Sequence, residues 1–138
     1  MATSLKFYTD ATLTTEVTTL TIDQVADGST PDVDKVVYLG STDAAATFEA
    51  NSNPSVDQIE ASIVDANPVS GVEPSNIKLA LSQGALGAAV AGDPLDLGTS
   101  ISGGVGNDVP IYIRSDTPVL ASTNTDITIE TNEILETI

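Results

Sequence analysis

The chain contains no cysteine, no histidine and no tryptophan. Without cysteine no disulfide can close the fold, so stability has to come from the core, from assembly or from ions. Without histidine and cysteine, neither a Ser-His-Asp nor a Cys-His nucleophile can be assembled, and the usual ligands of a zinc site are missing. These absences favour a protein that acts through its surface over one that acts through a reactive side chain.

Basic residues are scarce as well. The 138 residues include 20 acidic residues and only four basic ones, Lys6, Lys35, Lys78 and Arg114. The formal net charge is therefore −16. No basic stripe is present, so we expect no binding to nucleic acid and none to an anionic membrane. Multimolar salt would screen the self-repulsion to a Debye length of roughly 3 Å or less. The charge density indicates an extreme halophile, with an ordinary acidic bacterial or phage protein as the alternative.

Long apolar runs are missing too. The longest, residues 85–91, is interrupted by Gly87 and is far too short to span a bilayer. The segment MATSLKFYTD has no basic start followed by an apolar stretch, which predicts no signal peptide. We therefore expect synthesis in the cytoplasm, and release either within an assembly or by lysis.

What the chain does contain is a hydrophobic period of two. Apolar and polar residues alternate in residues 19–22, 59–63, 77–81, 111–114 and 127–130, and residues 36–39 are apolar throughout. Such alternation predicts half-buried strands, and the Asp-Gly, Asn-Pro and Gly-Gly pairs between them predict turns. The sequence thus predicts one all-β domain, residues 1–138, folded as an antiparallel β-sandwich of about seven to nine strands. Residues 1–16 are predicted to form an N-terminal arm that contacts neighbours.

Two acidic segments are candidates for an ion site. Residues 103–109, GGVGNDV, resemble one turn of the calcium-binding nonapeptide of β-rolls, with Asp108 as its carboxylate, but Pro110 breaks the pattern and no second copy follows. We favour a glycine-rich loop that leads into a strand over 109–115. Asp93 and Asp96 flank a stiffening Pro94, and solvated surface charge is the favoured alternative. We expect no cofactor apart from ions, for which Ca²⁺, Mg²⁺, Na⁺ and K⁺ are the candidates.

Five residues are predicted to contact neighbouring subunits: Phe7, Tyr8, Leu86, Val90 and Arg114. Phe7 and Tyr8 are large residues close to a terminus, where a single domain rarely buries them alone. Leu86 and Val90 belong to a stretch rich in glycine and alanine, 84–92, which forms either a flexible loop or a close contact with a neighbour. Arg114 forms either a local ion pair or a bidentate pair with a carboxylate of a neighbour.

Two segments resemble immunoglobulin-like domains. Residues 20–41, LTIDQVADGSTPDVDKVVYLGS, resemble their first two strands, with Gly28 in the turn, although Gly40-Ser41 stand where such domains usually carry asparagine. Residues 109–132, VPIYIRSDTPVLASTNTDITIETN, resemble their final hairpin. The resemblance implies an immunoglobulin-like sandwich in which the strand holding Ile111 pairs with the strand holding Ile127.

The opening LKFYTDATLTTEVTTLTID is similar to that of short structural proteins of phages and haloarchaeal viruses. This resemblance implies a virion protein of a haloarchaeal tailed virus, which decorates or cements the capsid as a turret or decoration protein, or belongs to the tail. Its partners would be major capsid or tail proteins, copies of itself and the host surface, and it would be assembled in the host cytoplasm. A cellular S-layer-associated or carbohydrate-binding module is the alternative. An enzyme with a carboxylate pair is least favoured, because only five aromatic residues are available to line a cleft.

Overall fold

The computed structural model describes residues 4–17, 33–65, 77–115 and 127–138. These residues form ten strands: β1 (Lys6–Tyr8), β2 (Val33–Gly40), β3 (Thr47–Ala50), β4 (Glu60–Asp65), β5 (Ile77–Ala80), β6 (Leu95–Asp96), β7 (Ser100–Ser102), β8 (Val109–Ser115), β9 (Ile127–Thr131) and β10 (Ile134–Thr137). One 3-10 turn, Gly84–Gly87, follows β5. Every strand pairing is antiparallel. The predicted all-β class is therefore confirmed.

The first layer is a four-stranded sheet in the order β1-β2-β8-β5. Val37 lies opposite Ile111, and Ile113 lies opposite Leu79 on the next strand. Because successive side chains of a strand point to opposite faces, these residues share one face, and all four belong to the hydrophobic core. The alternation in the sequence therefore defines an inner and an outer face of this sheet.

The second layer consists of two three-stranded sheets with the same spatial order, β10-β3-β7 and β9-β4-β6. Along one side, Ile134 lies opposite Ala50 in the first sheet, and Thr131 lies opposite Ala61 in the second. β9 and β10 therefore form one edge of both sheets, β10 along β3 and β9 along β4. β3 and β4 are in turn the central strands of the two sheets. The two sheets are halves of one three-stranded layer, whose central strand is interrupted by residues 51–59.

The core lies between these two layers. It combines residues of both: Val37, Leu39, Ala46, Phe48, Ile59, Ala61, Ile77, Leu79, Leu97, Ile101, Ile111 and Ile113. Phe48 of β3 and Ile111 of β8 are fully buried in it. The architecture is therefore an antiparallel β-sandwich. The described strands outnumber the predicted seven to nine because each strand of the second layer is broken into two short pieces.

The predicted final hairpin is wrong. β8 has β2 along one edge and β5 along the other, while β9 pairs with β4 in the second layer, where Ile129 lies opposite Ile63. Both strands alternate in the same way, so the pattern identifies their buried face and says nothing about their neighbour. The immunoglobulin-like connectivity stays a prediction. Residues 19–22 and Gly28 lie outside the described residues.

The N-terminal segment is part of the sandwich. β1 pairs with β2, where Phe7 lies opposite Leu39. Ser4 donates from its backbone nitrogen and from its hydroxyl to the carboxylate of Glu136 on β10, at 3.1 and 2.6 Å, and its hydroxyl lies 2.8 Å from that of the fully buried Ser41. Residues 4–17 are thus bound to both layers, and this part of the predicted arm is a component of the sheet.

The glycine-rich segment packs against the turn that follows β2. Gly103 donates to the carbonyl of Ala46 at 2.8 Å, and Gly104 donates to the carbonyl of Ser41 at 2.8 Å. A Cβ on Gly103 would overlap the backbone carbonyl of Asp43. The close approach of two backbones therefore requires glycine here, and the segment leads into β8 as the loop interpretation predicts.

Replacing Gly103 by alanine should destabilise the fold by at least about 1–3 kcal/mol, because rigid backbone stands where the new methyl group would lie. Urea unfolding followed by circular dichroism measures the change. Gly87→Ala is the matched control, because a Cβ there meets no atom within 4 Å. Equal unfolding midpoints for the two variants would contradict the packing described here.

Candidate functional site

The outer face of the four-stranded sheet carries all three tyrosines and three of the four basic residues of the chain. Its residues lie in rows across the strands. We call them the tyrosine face: Lys6, Tyr8, Asp34, Val36, Tyr38, Lys78, Ala80, Pro110, Tyr112 and Arg114. Outer faces of antiparallel sheets are normally polar. An aromatic and apolar outer face is the composition expected of a contact surface.

The centre of the tyrosine face is only half covered. Tyr38 lies opposite Pro110, and the next row places Val36 opposite Tyr112. All four residues are partly exposed. They alternate along β2 and β8 with the buried residues of the core, so the packing of the inner face directs them outward.

The turn over residues 9–16 covers one side of this face. Leu13, 3% exposed, reaches Gly40, where its Cδ1 would lie 3.0 Å from a Cβ on the glycine. Tyr8 is 8% exposed, and its backbone forms an isolated antiparallel β-bridge with the backbone of Glu16. The missing side chain at Gly40 thus leaves room for Leu13, and the turn buries the end of the face that Tyr8 occupies.

Asp10 holds this turn together. Its carboxylate accepts hydrogen bonds from the backbone nitrogens of Thr14 and Thr15 at 3.1 and 3.0 Å, from the hydroxyl of Thr14 at 2.6 Å and from the hydroxyl of Thr12. The bond from Thr12, followed by those from Thr14 and Thr15, lowers the pKa of Asp10 well below its usual range. The carboxylate is therefore charged whenever the turn is formed at neutral pH.

The 3-10 turn Gly84–Gly87 covers the opposite side. It contacts β5 and β8, and the side-chain amide of Gln83 donates to Asp34 at 3.1 Å. Leu86 of this turn is fully buried but does not belong to the main core. Ala80 of the outer face is buried as well. The prediction that Leu86 contacts a neighbouring subunit is corrected, because its own chain encloses it.

Arg114 forms a bidentate pair within the chain. Its Nε and one terminal nitrogen donate to the two carboxylate oxygens of Asp34 on β2 at 2.7 and 2.9 Å. The two side chains are 21% and 15% exposed. The bond from Arg114 is the largest cause that lowers the pKa of Asp34. Of the two alternatives for Arg114, the structure shows an intrachain pair, with a partner from the neighbouring strand.

The predicted contact residues are divided among several environments. Phe7 packs against the core from the inner face, and Tyr8 is buried by the turn above it, so the prediction that Tyr8 is left for a neighbour to cover is corrected. Val90 is 64% exposed and lies after the 3-10 turn. Sequence reasoning missed Tyr38 and Tyr112, although residues 36–39 are apolar throughout.

The three candidate ion ligands are not brought together. Asp93 is exposed in the loop before β6, and Asp96 lies on β6. Asp108 lies in the other layer, where its Cβ would be 3.0 Å from a Cβ on Gly40. Among the described residues, no group of three histidine, cysteine or acidic side chains could hold a metal ion.

A second outer face, on the second layer, is acidic. Glu60 lies directly opposite Asp96, Glu130 lies opposite Ser62, and the neighbouring row pairs Val64 with Thr128. We call these six residues the acidic face. Like charges directly opposite each other destabilise an antiparallel pair. The charge of this face therefore opposes folding in the isolated chain.

Comparison with protein-family models, with curated proteins and with solved structures gave no match. Within the part of the chain that the structure describes, no helix is long and apolar enough to cross a membrane.

Replacing Asp10 by asparagine should lower the stability at neutral pH, because the amide accepts the hydrogen bonds of the turn less strongly. The pKa of Asp10 is lower in the folded than in the unfolded state, so its stabilisation is complete above about pH 4 and is lost as the pH falls further. The difference in urea midpoint between wild type and Asp10→Asn should therefore shrink in acid. Asp93→Asn controls for the lost charge, and a pH-independent difference would refute the assignment.

Replacing Arg114 by lysine should lower the free energy of unfolding by about 1 kcal/mol, because lysine cannot form the two parallel bonds to Asp34. A double-mutant cycle with Asp34→Asn measures the coupling, and the double variant should lose less than the sum of the single variants. The exposed pair of Lys6 and Glu16, at 3.5 Å, is the control: Lys6→Gln should change stability by at most about 0.5 kcal/mol. Additive effects at Arg114 and Asp34 would argue against the pair.

Proposed function

We propose that the chain is a non-enzymatic structural protein of a virion, which decorates or cements the capsid of a haloarchaeal tailed virus by packing against neighbouring subunits. The tyrosine face is the observation that carries this proposal. It presents aromatic and apolar side chains on a sheet face whose two sides are covered by the chain's own turns. Such a surface supplies contact area at a low cost in side-chain entropy.

The way the sandwich is held together supports a structural role. Ser4, Ser41 and Glu136 connect the N-terminal segment to the last strand by hydrogen bonds of 2.6 to 3.1 Å. Residues of both layers contribute to one core. A subunit that adheres by shape requires a rigid body, and these contacts supply rigidity without disulfides.

The net charge of −16 supports function in brine. Salt screens the repulsion between like-charged subunits, so that short-range packing decides whether they associate. The same argument applies to a tail or baseplate position, which is the alternative place on the particle.

A cellular carbohydrate-binding module is the second candidate function. Tyr38 and Tyr112 favour it, because partly exposed aromatic rings on a sheet face are the kind of platform on which sugar rings stack. The two candidates differ in their partner, which is a protein subunit in the first case and a glycan in the second.

Mass spectrometry of purified virions tests the proposal. We expect the chain to be present in a fixed ratio to the major capsid or tail protein, and Tyr112→Ser to reduce that ratio several-fold because it removes a central contact. Val105→Ser is the control, since Val105 is exposed on the glycine-rich loop. Absence from virions while the chain accumulates in infected cells would refute the proposal.

Retention of the wild type, but not of Tyr112→Ser, on a polysaccharide column would favour the carbohydrate-binding module.

A further inference from the structure

The outer faces of the two layers differ in charge and composition. The tyrosine face holds three of the four cations of the chain, whereas the acidic face holds three carboxylates and no cation. We propose that the tyrosine face of one copy docks onto the acidic face of a second copy. This inference rests on the proposed function, because it identifies the surfaces through which an assembly subunit would bind copies of itself.

Lys78 is the cation that the tyrosine face offers to a partner. It lies directly opposite Arg114 on β8, so two positive charges are neighbours across the strands. Arg114 is engaged by Asp34, whereas Lys78 forms no ion pair with any residue that the structure describes. A carboxylate from outside would therefore relieve the repulsion between Lys78 and Arg114.

The acidic face lacks a cation that would offset the repulsion between its carboxylates. Glu60 and Asp96 are directly opposite each other, and Glu130 lies in the next row. All four basic residues of the chain are described, and none of them forms an ion pair with these three carboxylates. A lysine from a second copy, placed between Glu60 and Asp96, would relieve their repulsion.

The two faces also match in their apolar parts. Val64 of the acidic face is 38% exposed beside Thr128, and the tyrosine face offers the partly exposed Val36, Tyr38 and Tyr112. Contact between these groups removes apolar area from water on both sides. Salts that are excluded from protein surfaces strengthen this contribution.

The geometry of the contact follows from the position of the two faces. They lie on different layers of one sandwich, so a contact between unlike faces is head to tail. Each added copy leaves one tyrosine face and one acidic face unoccupied, until the assembly closes into a ring or grows as a filament. A two-fold dimer formed by two tyrosine faces would leave the acidic faces unpaired.

Sedimentation velocity of the full chain across a range of KCl concentrations tests the proposal. Association should strengthen with salt, because screening reduces the repulsion between acidic bodies while the docked groups remain in contact. Lys78→Glu should weaken association about tenfold or more, since it places like charges across the contact. Asp96→Lys alone should also weaken it, because it removes one of the two carboxylates between which Lys78 docks, and the combined variant Lys78→Glu with Asp96→Lys should regain most of the wild-type affinity.

Two variants make the same changes of charge away from both faces. Lys35→Glu alters the one basic residue outside the tyrosine face, and Asp57→Lys alters the exposed loop between β3 and β4. Both should associate as the wild type does. Circular dichroism and the urea midpoint confirm that each variant is folded before its sedimentation is compared.

The failures of the two proposals are distinguishable. A chain that is present in virions but sediments as a monomer at every salt concentration overturns the docking of the two faces and leaves the virion role intact. Association that Lys78→Glu and Lys35→Glu weaken equally also overturns it. A chain that is absent from virions but associates through these faces overturns the proposed function and supports the self-docking.

Discussion

The apolar contact between the inner faces of the two layers is the interaction on which the rest of the structure depends. In a chain with a net charge of −16 and no cysteine, surface electrostatics oppose the compact state and no covalent link offsets them. Phe48, Ile59 and Ile111 are fully buried between the layers, and each such side chain contributes about 1.5–3 kcal/mol relative to exposure. The other contacts add to a fold whose largest favourable contribution is this apolar burial.

The core also determines which residues face outward. Once Val37 and Leu39 of β2 point inward, Val36 and Tyr38 must point to the other side, because the side chains of a strand alternate. The two covering turns then limit what remains accessible. Asp10 accepts the hydrogen bonds that hold one of these turns, and Gln83 donates to Asp34 from the other. The exposed part of the tyrosine face is therefore a strip between the two turns.

The alternation in the sequence predicts several of the described strands. Residues 77–81 and 109–115 correspond to β5 and β8, and residues 127–130 belong to β9. Alternation carries no information about which strands are neighbours, and the hairpin of β8 with β9 that the immunoglobulin-like resemblance implies is wrong. Loop residues were harder still, since Leu86 is buried only because the turn around it folds back over β5 and β8.

The site was less predictable than the fold for a related reason. Arg114 and Asp34 are 80 positions apart in the chain, and Tyr38 and Tyr112 become neighbours on one face only through the register of β2 against β8. In the composition, the many carboxylates and the few aromatic residues are two unrelated observations. The structure relates them, because it gathers the tyrosines with most of the cations on one layer and places an acidic face on the other.

Salt changes the balance between these two faces. In dilute solution the long-range repulsion of the acidic surface dominates and keeps copies apart. When the Debye length falls to roughly 3 Å, as it does at 1 M salt, that repulsion no longer acts beyond contact, whereas apolar burial is unaffected or strengthened. In the proposed assembly, a face of tyrosines with few net charges is then the surface on which association depends. In the proposed assembly the two features therefore have complementary roles: the acidic composition opposes unspecific association, and the tyrosine face supplies the specific contact at high salt.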